Sequence, residues 1–223
     1  MTPVRIVTLA LSLFLATGLG ACDISIAALN AVEGNGVELR QERNVDDFRE
    51  VRLLGTGDLL VTSGVDTAVA ITCDENLVPL IRTEVDGDVL KIFPEEPIAP
   101  EVDLVIEVGT PSIRSVSCAG AGSMEVRGID EDDFNAGLSG AGKVELYGRA
   151  DRLEVDVSGV GSVEAEELVA REAIVRVSGV GKAHVNGTER VDARVSGVGK
   201  VTYLGNPEVE ERVSGLGQIS KRD

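Results

Sequence analysis

The chain has 223 residues, 38 acidic against 21 basic, for a net charge of -17. That length holds one domain with attachments, and the negative charge excludes a general nucleic-acid-binding role because phosphates would be repelled. Aromatics make up 3% and Trp is absent, while Gly numbers 26, Cys three and His one. A core must come from Val, Leu, Ile and Ala, and little material remains for a zinc site or imidazole-based catalysis.

Residues 1–21 predict an export signal: Arg5 is the only charge, an apolar run spans Ile6 to Ala16, and small residues follow. The run is shorter than the roughly 20 apolar residues of a membrane span. Leu19-Gly20-Ala21-Cys22 resembles the lipobox of bacterial lipoproteins. That resemblance implies a diacylglycerol thioether on Cys22, which becomes the first residue of a lipid-anchored chain. Asp23 resembles an inner-membrane retention signal. The expected address is the bacterial cell envelope, periplasm-facing or at the cell surface. Residues 22–44, with Gly34-Asn35-Gly36 and a charged stretch from Glu38 to Arg43, show no sustained period. They are expected to be a flexible tether.

From residue 45 onward, repetition dominates. Val157-Ser158-Gly159-Val160-Gly161 returns at 177–181, at 195–199, and as Val213-Ser214-Gly215-Leu216-Gly217. Looser copies are Leu138-Ser139-Gly140-Ala141-Gly142 and Cys118-Ala119-Gly120-Ala121-Gly122, with a distant one at 53–57. From Gly120 the first glycines advance by 20, 19, 20, 18 and 18 residues. Within each copy the apolar residues alternate, as in Leu153-Glu154-Val155-Asp156-Val157, which marks a strand with one buried face. A single coil cannot bury that face alone, but stacked coils can. The predicted fold is therefore all-β, a parallel β-helix (β-solenoid) with coils of 18–20 residues spanning 45–223. Residues 45–115 form its less regular first part, with a short helix near Glu75–Arg82.

Stacking predicts continuous files of side chains. Cys118, Leu138, Val157, Val177, Val195 and Val213 should line the interior, as should Met124, Val144, Val163, Ala183, Val201 and Ile219. Glu125, Glu145, Glu164, His184 and Thr202 should face outward, beside Ser123, Lys143, Ser162, Lys182, Lys200 and Gln218.

The stretch Val45-Asp46-Asp47-Phe48-Arg49-Glu50-Val51-Arg52-Leu53, with Gly55-Thr56-Gly57-Asp58-Leu59 after it, resembles the opening of the bacterial head GIN domain family of auto-transporter adhesin-like proteins. Asp74-Glu75-Asn76-Leu77, residues 84–92 and the Ser-Gly-x-Gly repeats extend the likeness over about 45–220. The resemblance implies a right-handed β-helix in an envelope protein, with no established activity and no catalytic or cofactor-binding residues to carry over.

Gly-Val-Gly-Lys at 179–182 and 197–200 lacks the glycine-rich span and following helix of a phosphate loop. The carboxylates of Glu125, Glu145 and Glu164, stacked roughly 5 Å apart, could hold a divalent cation or be neutralised by the neighbouring lysines. Asp130, Glu131, Asp132 and Asp133 read as an acidic loop, solvated or weakly calcium-binding. Cys73 and Cys118 both face inward by alternation and either form a disulfide, if their coils are adjacent, or remain small buried hydrophobes. His184 reads as a surface residue. Tyr147 and Tyr203 are the only tyrosines, too few aromatics for a sugar-stacking cleft. Pro94–Pro100 reads as a rigid connection.

These features predict a non-catalytic lipoprotein that binds an envelope protein or glycan, or serves as a structural module. The rival readings are a carbohydrate-active β-helix enzyme and a calcium-dependent assembly protein.

Overall fold

A computed structural model describes residues 30–222; Cys22 and the expected export signal lie outside them. The compact unit from Ala31 onward is a parallel β-solenoid of about five turns. Its strands are β1 (Val32–Glu33), β2 (Glu38–Arg43), β3 (Glu50–Ser63), β4 (Ala68–Asp74), β5 (Ile81–Asp86), β6 (Val89–Pro94), β7 (Ile98–Ala99) and β8 (Val105–Thr110). They continue with β9 (Ser115–Leu138), β10 (Ala141–Val157), β11 (Val160–Val177), β12 (Val180–Gly197), β13 (Lys200–Leu204), β14 (Glu208–Gly215) and β15 (Gln218–Lys221). In place of the short helix expected near Glu75–Arg82 there is one 3-10 turn, Val78–Leu80.

Parallel pairing runs β3–β9–β10–β11–β12, and β12 pairs with both β13 and β14. The register is the one the repeat dictates: Leu138, Val157, Val177, Val195 and Val213 stand over one another. Cys118 through Val195 are dry, but Val213 is 47% exposed. Val213 occupies the expected file and not the expected environment, because among the described residues β14 has no strand on its far side. Met124, Val144, Val163, Ala183 and Val201 form a second buried file, and Ile219, again on the last coil, is half-buried.

The corner is built of glycine because the stacked backbones approach too closely for any side chain. A Cβ on Gly140 would lie 1.8 Å from the carbonyl oxygen of Gly120. The same repeat that aligns the valines therefore also keeps Cβ atoms off the glycine positions of the turn.

The first part of the domain departs from the parallel rule. β6 and β8 lie beneath the two halves of β3, whereas β8–β4, β4–β2 and β5–β6 are antiparallel. Residues 30–44 are not a free tether: β1 pairs with β7, and β2 pairs with β4 from Glu38 opposite Asp74 to Arg43 opposite Val69. Glu38-Leu39-Arg40-Gln41-Glu42-Arg43 lacks apolar alternation because its side chains are mostly exposed; its backbone ladder with β4 is what orders it. Residues 22–29 of that expected spacer lie outside the described residues. Pro94–Pro100 is fixed in the same way, since it carries β7.

Buried Asp74 ties this region together. Its carboxylate accepts the backbone N–H of Gly36 at 2.7 Å and those of Glu101 and Val102 at 3.0 Å each. Burial pushes the carboxyl upward, but the hydrogen bonds from Val102, Gly36 and Glu101 outweigh it and hold Asp74 below the ordinary carboxylate value.

Candidate binding face

Alternation that sends Val157, Val177, Val195 and Val213 inward sends their neighbours outward, so each flanking position becomes a ladder. Asp156, Arg176, Arg194 and Arg212 stack in register on one side. Ser158, Ser178, Ser196 and Ser214 run along the other. Between them lies a furrow of about 470 Å³. A similar furrow of about 460 Å³ is lined by Arg52, Ser117, Ser139 and Asp156.

The arginines are held in place by acids, two residues back on the same strand for Arg194 and Arg212 and on the neighbouring strand β10 for Arg176. Arg194 donates to Asp192 through Nε at 3.1 Å and Nη2 at 2.7 Å. Arg176 pairs with Glu154 and lies 3.5 Å from Asp156, and Arg212 pairs with Glu210. The hydrogen bond to Glu154 holds Arg176 still more firmly in its charged form. A paired guanidinium keeps spare N–H donors, and three of them alternate with serine hydroxyls at the coil spacing of about 4.8 Å. The face offers repeated hydrogen bonds to an extended polar ligand. Single-residue inspection missed it; the signal was the repetition of Arg-Val-Ser at 176–178, 194–196 and 212–214.

The residues singled out in the sequence are not gathered at that furrow. Cys73 and Cys118 are buried and free, so the possible disulfide is not formed. Cys73 sits on β4, which pairs with β2 and β8, and Cys118 sits on β9, which pairs with β3 and β10; the two coils are not adjacent. Desolvation pushes both thiols up. Glu125, Glu145, Glu164, His184 and Thr202 do form one in-register column. Arg127 pairs with Glu125, and Lys143 with Glu145 at 2.7 Å. Among the described residues no group of three or more His, Cys, Asp or Glu side chains is arranged to hold a metal ion.

The expected acidic loop at 130–133 is part of β9. Its alternation is hard to see because Asp130 to Asp133 are all acids, yet they meet specific partners. Asp130 takes a bidentate hydrogen bond from Arg149 at 2.6 and 2.8 Å, and Glu131 meets Arg49 at 3.1 Å. His184 is not a free surface residue. Its Nδ1 contacts the Thr202 hydroxyl, and the ring lies 3.9 Å from Glu164 and 3.8 Å from Glu166. Thr202 is buried, so the cluster links successive coils rather than offering a nucleophile.

Fold and face together define a class: a rigid β-solenoid that displays side chains in ladders. The chain belongs to the family described as putative auto-transporter adhesin, head GIN domain, whose model matches residues 47–207. Among solved structures it is similar to a putative adhesin from Bacteroides fragilis, at 22% identity and a TM-score of 0.71, covering 86% of this chain and 100% of that one. A putative lipid binding protein from Parabacteroides distasonis is similar at 22% identity and a TM-score of 0.55, covering 87% and 100%. A putative adhesin from Parabacteroides merdae follows at 18% identity and a TM-score of 0.55, covering 86% and 99%. At these identities the likeness is one of fold. No curated protein matches the chain. Among the described residues no helix is long and apolar enough to cross a membrane.

Proposed function

We propose that the chain is a non-catalytic binding module of the bacterial cell envelope, anchored by lipid on Cys22, that holds an extended envelope ligand along the Arg-Val-Ser furrow. The observation that carries the reading is the in-register stacking of Arg176, Arg194 and Arg212 opposite Ser178, Ser196 and Ser214. A ligand with polar groups repeating along its length, such as a glycan strand, suits ladders that repeat once per coil. The family's adhesin description supports the same reading.

The test is retention of solubilised envelope glycans and proteins on the immobilised chain, comparing the parent with Arg194→Ser/Arg212→Ser. A partner retained by the parent and lost by the variant supports the furrow. No retention, or equal retention by both, counts against it.

A further inference from the structure

The Gly-x-Gly corners carry a feature that neither core packing nor the furrow explains. The residue between each pair of glycines stacks in register over its counterpart, through Ala121, Ala141, Val160 and Val180. Backbone hydrogen bonds from Val198 to Gly179 and from Leu216 to Gly197 continue the file. Its aliphatic members are exposed: Val160 62%, Val180 59%, Val198 55% and Leu216 84%. Large aliphatic side chains aligned on a projecting corner form a continuous apolar ridge, of the kind that marks a contact surface.

The flank of the ridge changes along the solenoid. Beside Ala121 and Ala141, where the ridge is small, lie Glu125 and Glu145, both ion-paired. From Val180 onward the ridge is large, and the carboxylate column has given way to His184 and Thr202. There Lys182 and Lys200, two residues after Val180 and Val198, stack on each other. Both are exposed and neither makes an ion pair among the described residues. Apolar bulk and unpaired positive charge thus rise together on one edge of a protein whose net charge is -17.

We infer that this edge, Val160, Val180, Val198 and Leu216 with Lys182 and Lys200, is a membrane-docking edge that rests on an anionic phospholipid surface. Convex aliphatics enter the boundary between headgroups and acyl chains, while the lysines meet lipid phosphates. A protein groove would have to match the ridge coil by coil, whereas a bilayer deforms around it. The inference is independent of the furrow and of the anchor.

The test uses the full chain with Cys22→Ala, so that no lipid is attached, and with Val198→Cys labelled with a polarity-sensitive dye; Cys73 and Cys118 are buried and stay unlabelled. On vesicles of phosphatidylglycerol and phosphatidylcholine the emission should shift to the blue and be quenched by nitroxide-bearing lipid. On phosphatidylcholine alone the shift should be weak, and a dye at Thr62→Cys should not respond. Lys182→Glu/Lys200→Glu should leave the melting temperature unchanged and weaken the vesicle response by about tenfold or more. No shift on anionic vesicles, equal shifts at 62 and 198, a response that survives the double charge reversal, or a shift that requires envelope protein would each overturn it.

Discussion

Asp74 accepts the backbone N–H of Gly36 at 2.7 Å across 38 residues of sequence. The contact joins the segment before β2 to the end of β4, and the same carboxylate holds Glu101 and Val102. A Cβ on Gly34 would meet that carboxylate at 2.4–2.5 Å, so glycine there is the condition for the clasp.

Because the folded-state pKa of Asp74 lies below its ordinary 3.8, the clasp stabilises the fold fully above that pH and is lost as pH falls below it. Asp74→Asn should lower the melting temperature at pH 7, and the gap to the parent should narrow under acid. Thermal melts of both proteins across pH 2–7, on the order of one unit per step, check this; a gap independent of pH would refute it.

Gly140→Ala should disrupt the solenoid corner, because its Cβ would fall 1.8 Å from the Gly120 carbonyl. Backbone atoms of a stacked ladder cannot swing aside as a side chain can. The expected loss is at least about 1–3 kcal/mol, read from urea unfolding. Wild-type stability in this variant would mean the coils are not so closely stacked.

Phe134 is fully buried, in register with Leu153. Removing its ring would leave a cavity in the core beside Leu153. Phe134→Ala should cost about 3–5 kcal/mol, and calorimetry would show it as a lowered melting temperature.

Glu211 stands in the inward file above Ala193, where earlier coils carry buried Val175 and Ala193. Among the described residues β14 pairs only with β12, and an inward-pointing charge there blunts its open edge. Glu211→Val should promote end-to-end association through β14, seen as a concentration-dependent rise in mass by light scattering. An unchanged mass at all concentrations would count against that role.

Cys73 and Cys118 should resist a thiol reagent in the folded protein and react together in denaturant, since only the thiolate attacks and burial raises both thiols. Fast labelling of either under native conditions would contradict their burial.

The alternation and period in the sequence already determined the strands, their register and the dry files from Cys118 to Val195, because each coil's pattern is satisfied only by a copy of itself next door. The same reasoning located the outward columns, including the one that runs from Glu125 through His184 to Thr202. Tertiary structure alone decided everything that depends on which strand is a neighbour or is last: that β2 orders a stretch with no apolar pattern, that the two cysteines sit on strands that do not pair, that His184 is enclosed by Glu164, Glu166 and Thr202, and that Val213 is wet. A residue's own alternation says which way it points; whether anything lies there to meet it is a property of the assembled stack.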